Sequence, residues 1–333
     1  MAPGQWRQGG VALVVLFVAS SALAGATPPG STNPTTVDSC TTIDVSGEYV
    51  LGGNLSADGT CLTIEADDVT LDGAGRELAG NGTGTGVVVG GDNVTVRNVT
   101  ASGFEAGADL AGGNSSIAGS TFSENRVGVT VTAPRNATLA NNTVVNNTGD
   151  GVNVLLGSVT LENNRLADNG RYGLSTAPGE ATTLIGNVVE NNGKGGLFFA
   201  SGTPTVRDTV VRDNGGAGVF LDEVSGATLA NATVTGNDAA GLVVAESTDV
   251  GVFSTTLSNN AGDGILVAGT LDVSNSTVAD NGGDGIRALP ARLVEATDVT
   301  VSETLIRGNA GDAIGGPAAG NVTVDGRNAN ATG

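Results

Sequence analysis

The feature that most constrains this chain is a period. Gly followed by a branched apolar residue recurs at Gly128-Val129, Gly151-Val152, Gly173-Leu174, Gly196-Leu197, Gly218-Val219, Gly241-Leu242, Gly264-Ile265 and Gly285-Ile286, in steps of 23, 22, 23, 22, 23, 23 and 21. A fixed period in this range marks a solenoid, because each unit is too short to bury an apolar face alone and must stack on its neighbours.

Two further apolar columns, five residues apart, run through every unit: Ile117/Phe122, Leu139/Val144, Leu161/Leu166, Leu184/Val189, Val206/Val211, Leu229/Val234, Val252/Leu257, Val273/Val278 and Val301/Ile306. The runs are of strand length, rich in Val, Thr and Ile, and lack a helical 3.6 period. An Asn precedes most of the marker glycines by four residues, at Asn147, Asn169, Asn192, Asn214, Asn237, Asn260 and Asn281. Asn tolerates left-handed backbone angles and its amide can bond equivalent residues above and below, which predicts a corner ladder. Gly would then supply a positive φ or a close approach. The expected fold is all-β: a right-handed parallel β-helix solenoid with three short strands per coil of about 22 residues, handed by the preference of parallel crossovers. A leucine-rich repeat would need a denser Leu pattern and a second structured segment. Ten or eleven coils at about 4.8 Å each predict a rod of roughly 50 Å.

The ends read differently. Arg7, the apolar run Val11 to Val18 and the small residues Ala22-Leu23-Ala24 have the layout of a signal peptide. The expected organisation is a leader over 1–24 cleaved near Ala24 or Ala26, a flexible linker over 25–39, one β-helix domain over 40–325, and a disordered tail over 326–333. No later run reaches the roughly 20 apolar residues of a transmembrane helix, so a secreted, extracellular or cell-surface location is expected. Cys40 and Cys61 lie 21 residues apart, one coil length, which predicts a disulfide between adjacent turns.

Asp and Glu number 34 against 14 Lys and Arg, a net charge of −20, and Lys194 is the sole lysine. Such a surface lacks the basic patch nucleic acid requires and suits strong brine, where self-repulsion is screened, so a halophilic source and no nucleic-acid partner are expected. Twelve Asn-x-Ser/Thr sequons, at Asn54, Asn81, Asn93, Asn98, Asn114, Asn136, Asn141, Asn146, Asn231, Asn275, Asn321 and Asn330, are candidate glycan acceptors, although Asn and Thr are both common in the repeat.

The stretch GEYVLGGNLSADGTCLTIEADDVTLDGAGRELAG, Gly47 to Gly80, resembles the opening of the NosD-like right-handed β-helix family, and DDVTLDG at Asp67 is echoed by DNVTVRN at Asp92. The resemblance covers roughly residues 40–325. It implies a periplasmic accessory role in copper delivery to nitrous-oxide reductase, within a fold shared with carbohydrate-binding and sugar-hydrolysing domains. The copper role does not carry over by residue. Copper sites want Cys, Met or His, whereas the chain has no His, its one Met opens the leader, and its two Cys are expected to be paired.

Strand alternation assigns the residue after the Gly-apolar pair to the outside, giving the column Thr130, Asn153, Ser175, Phe198, Phe220, Val243, Leu266 and Arg287. Its apolar run and Arg287, with Tyr172 and Lys194 before them, are the expected ligand face for a polysaccharide, a cell-surface glycan or a protein, with Tyr172, Phe198 and Phe220 as stacking surfaces and with Arg171, Asp222 and Glu223 converging near the stripe. A covering loop or second subunit is the plainer account. Asp222, Glu223 and Lys194 are the weak catalytic candidates of a polysaccharide lyase, hydrolase or epimerase, the alternative to a non-catalytic binder. Asp150, Asp263, Asp284 and Asp312 form an acidic column in which calcium is the candidate ion, with solvated turn residues as the plainer account. No other cofactor is expected. The repeat stretches most between Gly285 and Val301, a loop with Arg287, Arg292 and Glu295 that is expected to cover the C-terminal end of the rod. Glu190 and Arg212 share a column on adjacent coils and are expected to pair.

Overall fold

A computed structural model describes residues 33–132, 135–177, 181–294 and 296–325. The expected leader, most of the linker, Glu295 and the tail lie outside them. The chain winds into a solenoid of about twelve turns in which every strand pairing is parallel. Three faces repeat. One coil shows them as Thr182–Ile185, Val188–Glu190 and Gly195–Phe199, here the first, second and third faces. Among the described residues the only helical turn is the 3-10 segment Ala319–Asn321, and no helix is long and apolar enough to cross a membrane.

The apolar columns fill the interior. Leu184, Val189 and Leu197 of one coil, and Val206, Val211 and Val219 of the next, are fully buried and stack in register. Each residue touches its equivalents at the strand spacing of about 4.8 Å, so branched side chains of similar size are selected at every coil.

The solenoid begins earlier and has more turns than the sequence suggests. Thr35–Val37, inside the expected linker, is already a strand paired with Gly47–Leu51, because Val37 buries against the first coil. At the far end Val322–Val324 adds a last strand beside Val299–Val301. Cys40 and Cys61 are joined across adjacent turns, with Cα atoms 4.5 Å apart.

Two ladders hold the corners. Asn147, Asn169, Asn192, Asn214, Asn237, Asn260, Asn281 and Asn309 form the first, each Nδ2 donating to the next Oδ1 at 2.9–3.0 Å. Its left-handed residue is not the ladder Asn, as expected from sequence, but the one before it: Asn146, Asp168, Asn191, Asp213, Gly236, Asn259, Asp280 and Gly308. That residue turns the chain, and the buried Asn then satisfies the amide and carbonyl groups the turn exposes. The marker glycines likewise have no positive φ; they serve close approach. A Cβ on Gly151 would sit 2.7 Å from the amide nitrogen of Asn169. A second ladder lies between the first and second faces, from Asn142, Asn164 and Asn187 to Thr209, Thr255, Ser276 and Thr304.

Candidate functional site

The third face carries the anomalous column. Thr130, Asn153, Ser175, Phe198, Phe220, Val243, Leu266 and Arg287 stand in continuous register across eight coils. The four apolar members are half-buried and Arg287 is exposed.

Tyr172 joins the column from the corner. It pairs with Gly195, and a Cβ there would come within 3.0 Å of the tyrosine ring, so the glycine leaves room for the ring to lean along the rod. Tyr172 and Phe198 have ring centroids 5.3 Å apart and planes 23° apart; Phe198 and Phe220 follow at 5.6 Å and 42°. Near-parallel rings this close overlap face to face, so Tyr172 and Phe198 stand on edge. Much of the stacking surface expected for a ligand is therefore used within the row. Lys194 Nζ lies 4.9 Å from the Tyr172 centroid, a cation–π contact that extends the row.

The catalytic candidates do not gather here. Lys194 lies two positions before Gly196 and Asp222 four after Gly218, the register partner of Gly196, so the two stand six positions apart at opposite ends of adjacent strands, about 20 Å from one another. Asp222 is half-buried in register with Ala245, and exposed Glu223 turns away at φ 53°.

The aspartate column serves the backbone. Asp263 Oδ1 accepts the Asp284 N–H at 2.7 Å, and Asp284 Oδ1 accepts the Asp312 N–H at 2.8 Å while its Oδ2 takes Arg287 at 3.0 Å. Asp150 similarly accepts the Tyr172 N–H at 3.1 Å. Among the described residues no cluster of three or more carboxylate, Cys or His groups is placed to hold a metal. The carboxylate of Glu190, on the second face, is bracketed by Arg165 at 2.8 Å and by Arg212.

The long loop takes an unexpected path. The backbone N–H groups of Arg292 and Leu293 donate to Glu246, two coils back, at 2.7–3.0 Å. The bond from Leu293 holds the Glu246 carboxyl below its ordinary 4.5, with burial opposing it and the bonds from Arg292 and Val294 and the Arg292 charge adding to it. Instead of covering the C-terminal end, the loop runs along the side of the rod, beside the end of the third face that carries Val243 and Leu266.

Two features escaped the sequence reading. Asp109 shares the outward column with Thr130, and burial pushes its carboxyl up although the Thr132 hydroxyl donates to it at 3.0 Å. On the first face a shallow hollow is lined by Asp249, Gly251, Phe253, Asp272, Asp298 and Thr300, with the tip of the Phe253 ring over Gly251. The Gly-x-Phe spacing was its only trace in the sequence.

The solved structures that resemble this solenoid share the fold. The A-module of the Azotobacter vinelandii mannuronan C-5 epimerase AlgE6 matches with a TM-score of 0.68 at 21% identity, over 86% of this chain and 91% of that one. The A-module of AlgE4 from the same organism gives 0.60 at 18%, over 89% and 91%. A mutant form of the periplasmic alginate epimerase AlgG gives 0.52 at 13%, over 83% and 75%. No curated protein matches the sequence. A family described as right handed beta helix region matches residues 55–211 and 179–329. These matches span most of the coils, and the chain belongs to the right-handed β-helix family.

Proposed function

We propose that this chain is a secreted or cell-surface rod that binds polysaccharide along its third face without turning it over. The observation that carries the reading is the half-exposed row from Lys194 and Tyr172 through Phe198, Phe220, Val243 and Leu266, which offers one apolar group per coil. The coil spacing of about 4.8 Å is close to the rise of one sugar in an extended chain, so a polymer lying along the rod would meet an equivalent contact at each residue. The ring edges and the tilted Phe220, rather than open ring faces, would make the contact. Similarity of fold to epimerases of mannuronan and alginate supports a polysaccharide as the ligand class.

The same similarity supports the second reading, an epimerase, lyase or hydrolase. It is the weaker one because the scattered positions of Lys194, Asp222 and Glu223 supply no base beside a neutralising cation. We retain the NosD-like lineage and a high-salt habitat for the chain but assign it no copper role, since copper favours His, Met or thiol sulfur, whereas the chain has no His, its one Met opens the expected leader and its two Cys are paired.

The test is retention and turnover measured together, in high salt, on acidic and neutral polysaccharides. Retention without new reducing ends or unsaturated uronides is expected. The double variant F198A/F220A should lower retention at least tenfold, while F253A on the first face should leave it unchanged. Equal retention by wild type and F198A/F220A would sink the proposed face, and turnover would replace binding with catalysis.

A further inference from the structure

The sequons are not absorbed by this reading, and their placement has a pattern. All eleven that fall among the described residues expose their Asn. In eight of them, Asn93, Asn98, Asn114, Asn136, Asn141, Asn146, Asn231 and Asn275, the Asn has φ between 50° and 58°, at a coil corner. At Asn93, Asn114, Asn141, Asn231 and Asn275 the corner leaves the Asn exposed, buries the middle residue and starts a strand at the third. At Asn231 and Asn275 the middle residues Ala232 and Ser276 are buried, and Thr233 and Thr277 open the strands.

The corner between the first and second faces separates its acceptors. In register it reads Asn98, Gly119, Asn141, Asn163, Gly186, Asp208, Asn231, Ser254, Asn275 and Glu303. Its sequons at Asn98, Asn141, Asn231 and Asn275 never occupy adjacent coils, so neighbouring acceptors are at least about 10 Å apart. In the corner before the first face, Asn93, Asn114 and Asn136 follow on successive coils, about 4.8 Å apart, too close for three sugar rings side by side. Asn93, Asn98 and Asn136 also donate their amides to Asp68, Asp72 and Asn114, whereas among the described residues no such bond holds Asn141, Asn231 or Asn275. No sequon occurs between Asn146 and Asn231, the stretch that carries Tyr172, Lys194, Phe198 and Phe220.

We infer that Asn141, Asn231 and Asn275 are N-glycosylation sites, flanking a belt of about four coils kept free of glycan. The donor class is an oligosaccharide linked through phosphate to a lipid. The Asn Nδ2 bonds to the first sugar carbon as the bond from that carbon to the phosphate oxygen breaks. The lipid phosphate leaves with the electron pair, and one amide proton passes to a base of the transferring enzyme. The inference rests on the export assumed in the proposed function.

The test maps glycopeptides by mass spectrometry on the full chain from a host that secretes and glycosylates proteins, alongside its N-terminal peptide. Expected are oligosaccharide masses on Asn141, Asn231 and Asn275, no more than two among Asn93, Asn114 and Asn136 on one molecule, and bare peptides from 149 to 230. T143V, T233V and T277V should each remove one whole oligosaccharide from the intact mass, and T256V, which breaks no sequon, should remove none. Unmodified Asn at all three positions overturns the inference. With an N-terminus processed near Ala24 or Ala26 that result leaves export standing, and with an unprocessed one both readings fail.

Discussion

Asn192 shows what a ladder residue does. It is fully buried, donates to Asn214 Oδ1 at 2.9 Å and to the Leu166 carbonyl at 3.1 Å, and accepts from Asn169. Asn192→Ala would strand the amide of Asn169 and the carbonyl of Leu166 away from water, at a cost of about 3 kcal/mol. The expected outcome is a clearly lowered melting temperature by circular dichroism, whereas Asn191→Gly, at the left-handed position beside it, should melt close to wild type because glycine adopts φ 55° freely. Equal losses would mean the ladder is ornamental. Asp109 gives a residue prediction of opposite sign. Burial raises its carboxyl in the folded state, so ionisation costs stability at neutral pH, and that cost disappears as pH falls through the raised value. Asp109→Asn keeps an oxygen for the Thr132 hydroxyl and should melt higher at pH 7, the advantage vanishing in acid; a lower melting point at pH 7 would refute the burial argument. The first Asn ladder was legible because one residue type repeats at one offset from Gly. The second was not, since Asn142, Asn164 and Asn187 give way to Thr209, Ala232, Thr255 and Ser276, and any small inward group fits that corner.

At the scale of elements, the strands and their register follow from the period, and the outward column stands in register residue by residue. What the period cannot encode is rotamer and path. That Tyr172 and Phe198 stand on edge depends on the space over Gly195, and the loop's path depends on one carboxylate outside the repeat pattern, Glu246. The loop should behave as a strap released by acid. Because the folded pKa of Glu246 lies below its ordinary value, the pinned state is favoured at every pH above that value and is lost as pH falls through the lowered one. Hydrogen exchange at Arg292 and Leu293, corrected for intrinsic rates, should be slow at pH 6 and accelerate below the ordinary carboxylate range. Glu246→Ala should exchange fast at both, and protection in that variant at pH 6 would mean the loop is held by something else.

The described residues form a stack of similar coils, and the first and last of these have a described neighbour on one side only, where strand pairing is weakest. They are protected unequally. The first turns are tied by Cys40–Cys61, while the last described strand, Val322–Val324, pairs with Val299–Val301 and packs Val322 on the core but leaves Val324 exposed. In the oxidised chain fraying should therefore start at the C-terminal end, and reduction should move a second, local opening to the first two coils. The net charge of −20 acts on every coil at once, since like carboxylates repeat along the rod and added salt shortens the range of their repulsion from about 10 Å at 0.1 M to about 3 Å at 1 M. Molar salt should raise the melting temperature of the oxidised and reduced chains alike. Reduction should shorten the protected segment only at residues 35–64, a difference that hydrogen exchange mapped by coil can resolve. If reduction lowered protection evenly along the rod, the coils would unfold as one cooperative unit, and the disulfide would be acting on the whole molecule instead of its first turns.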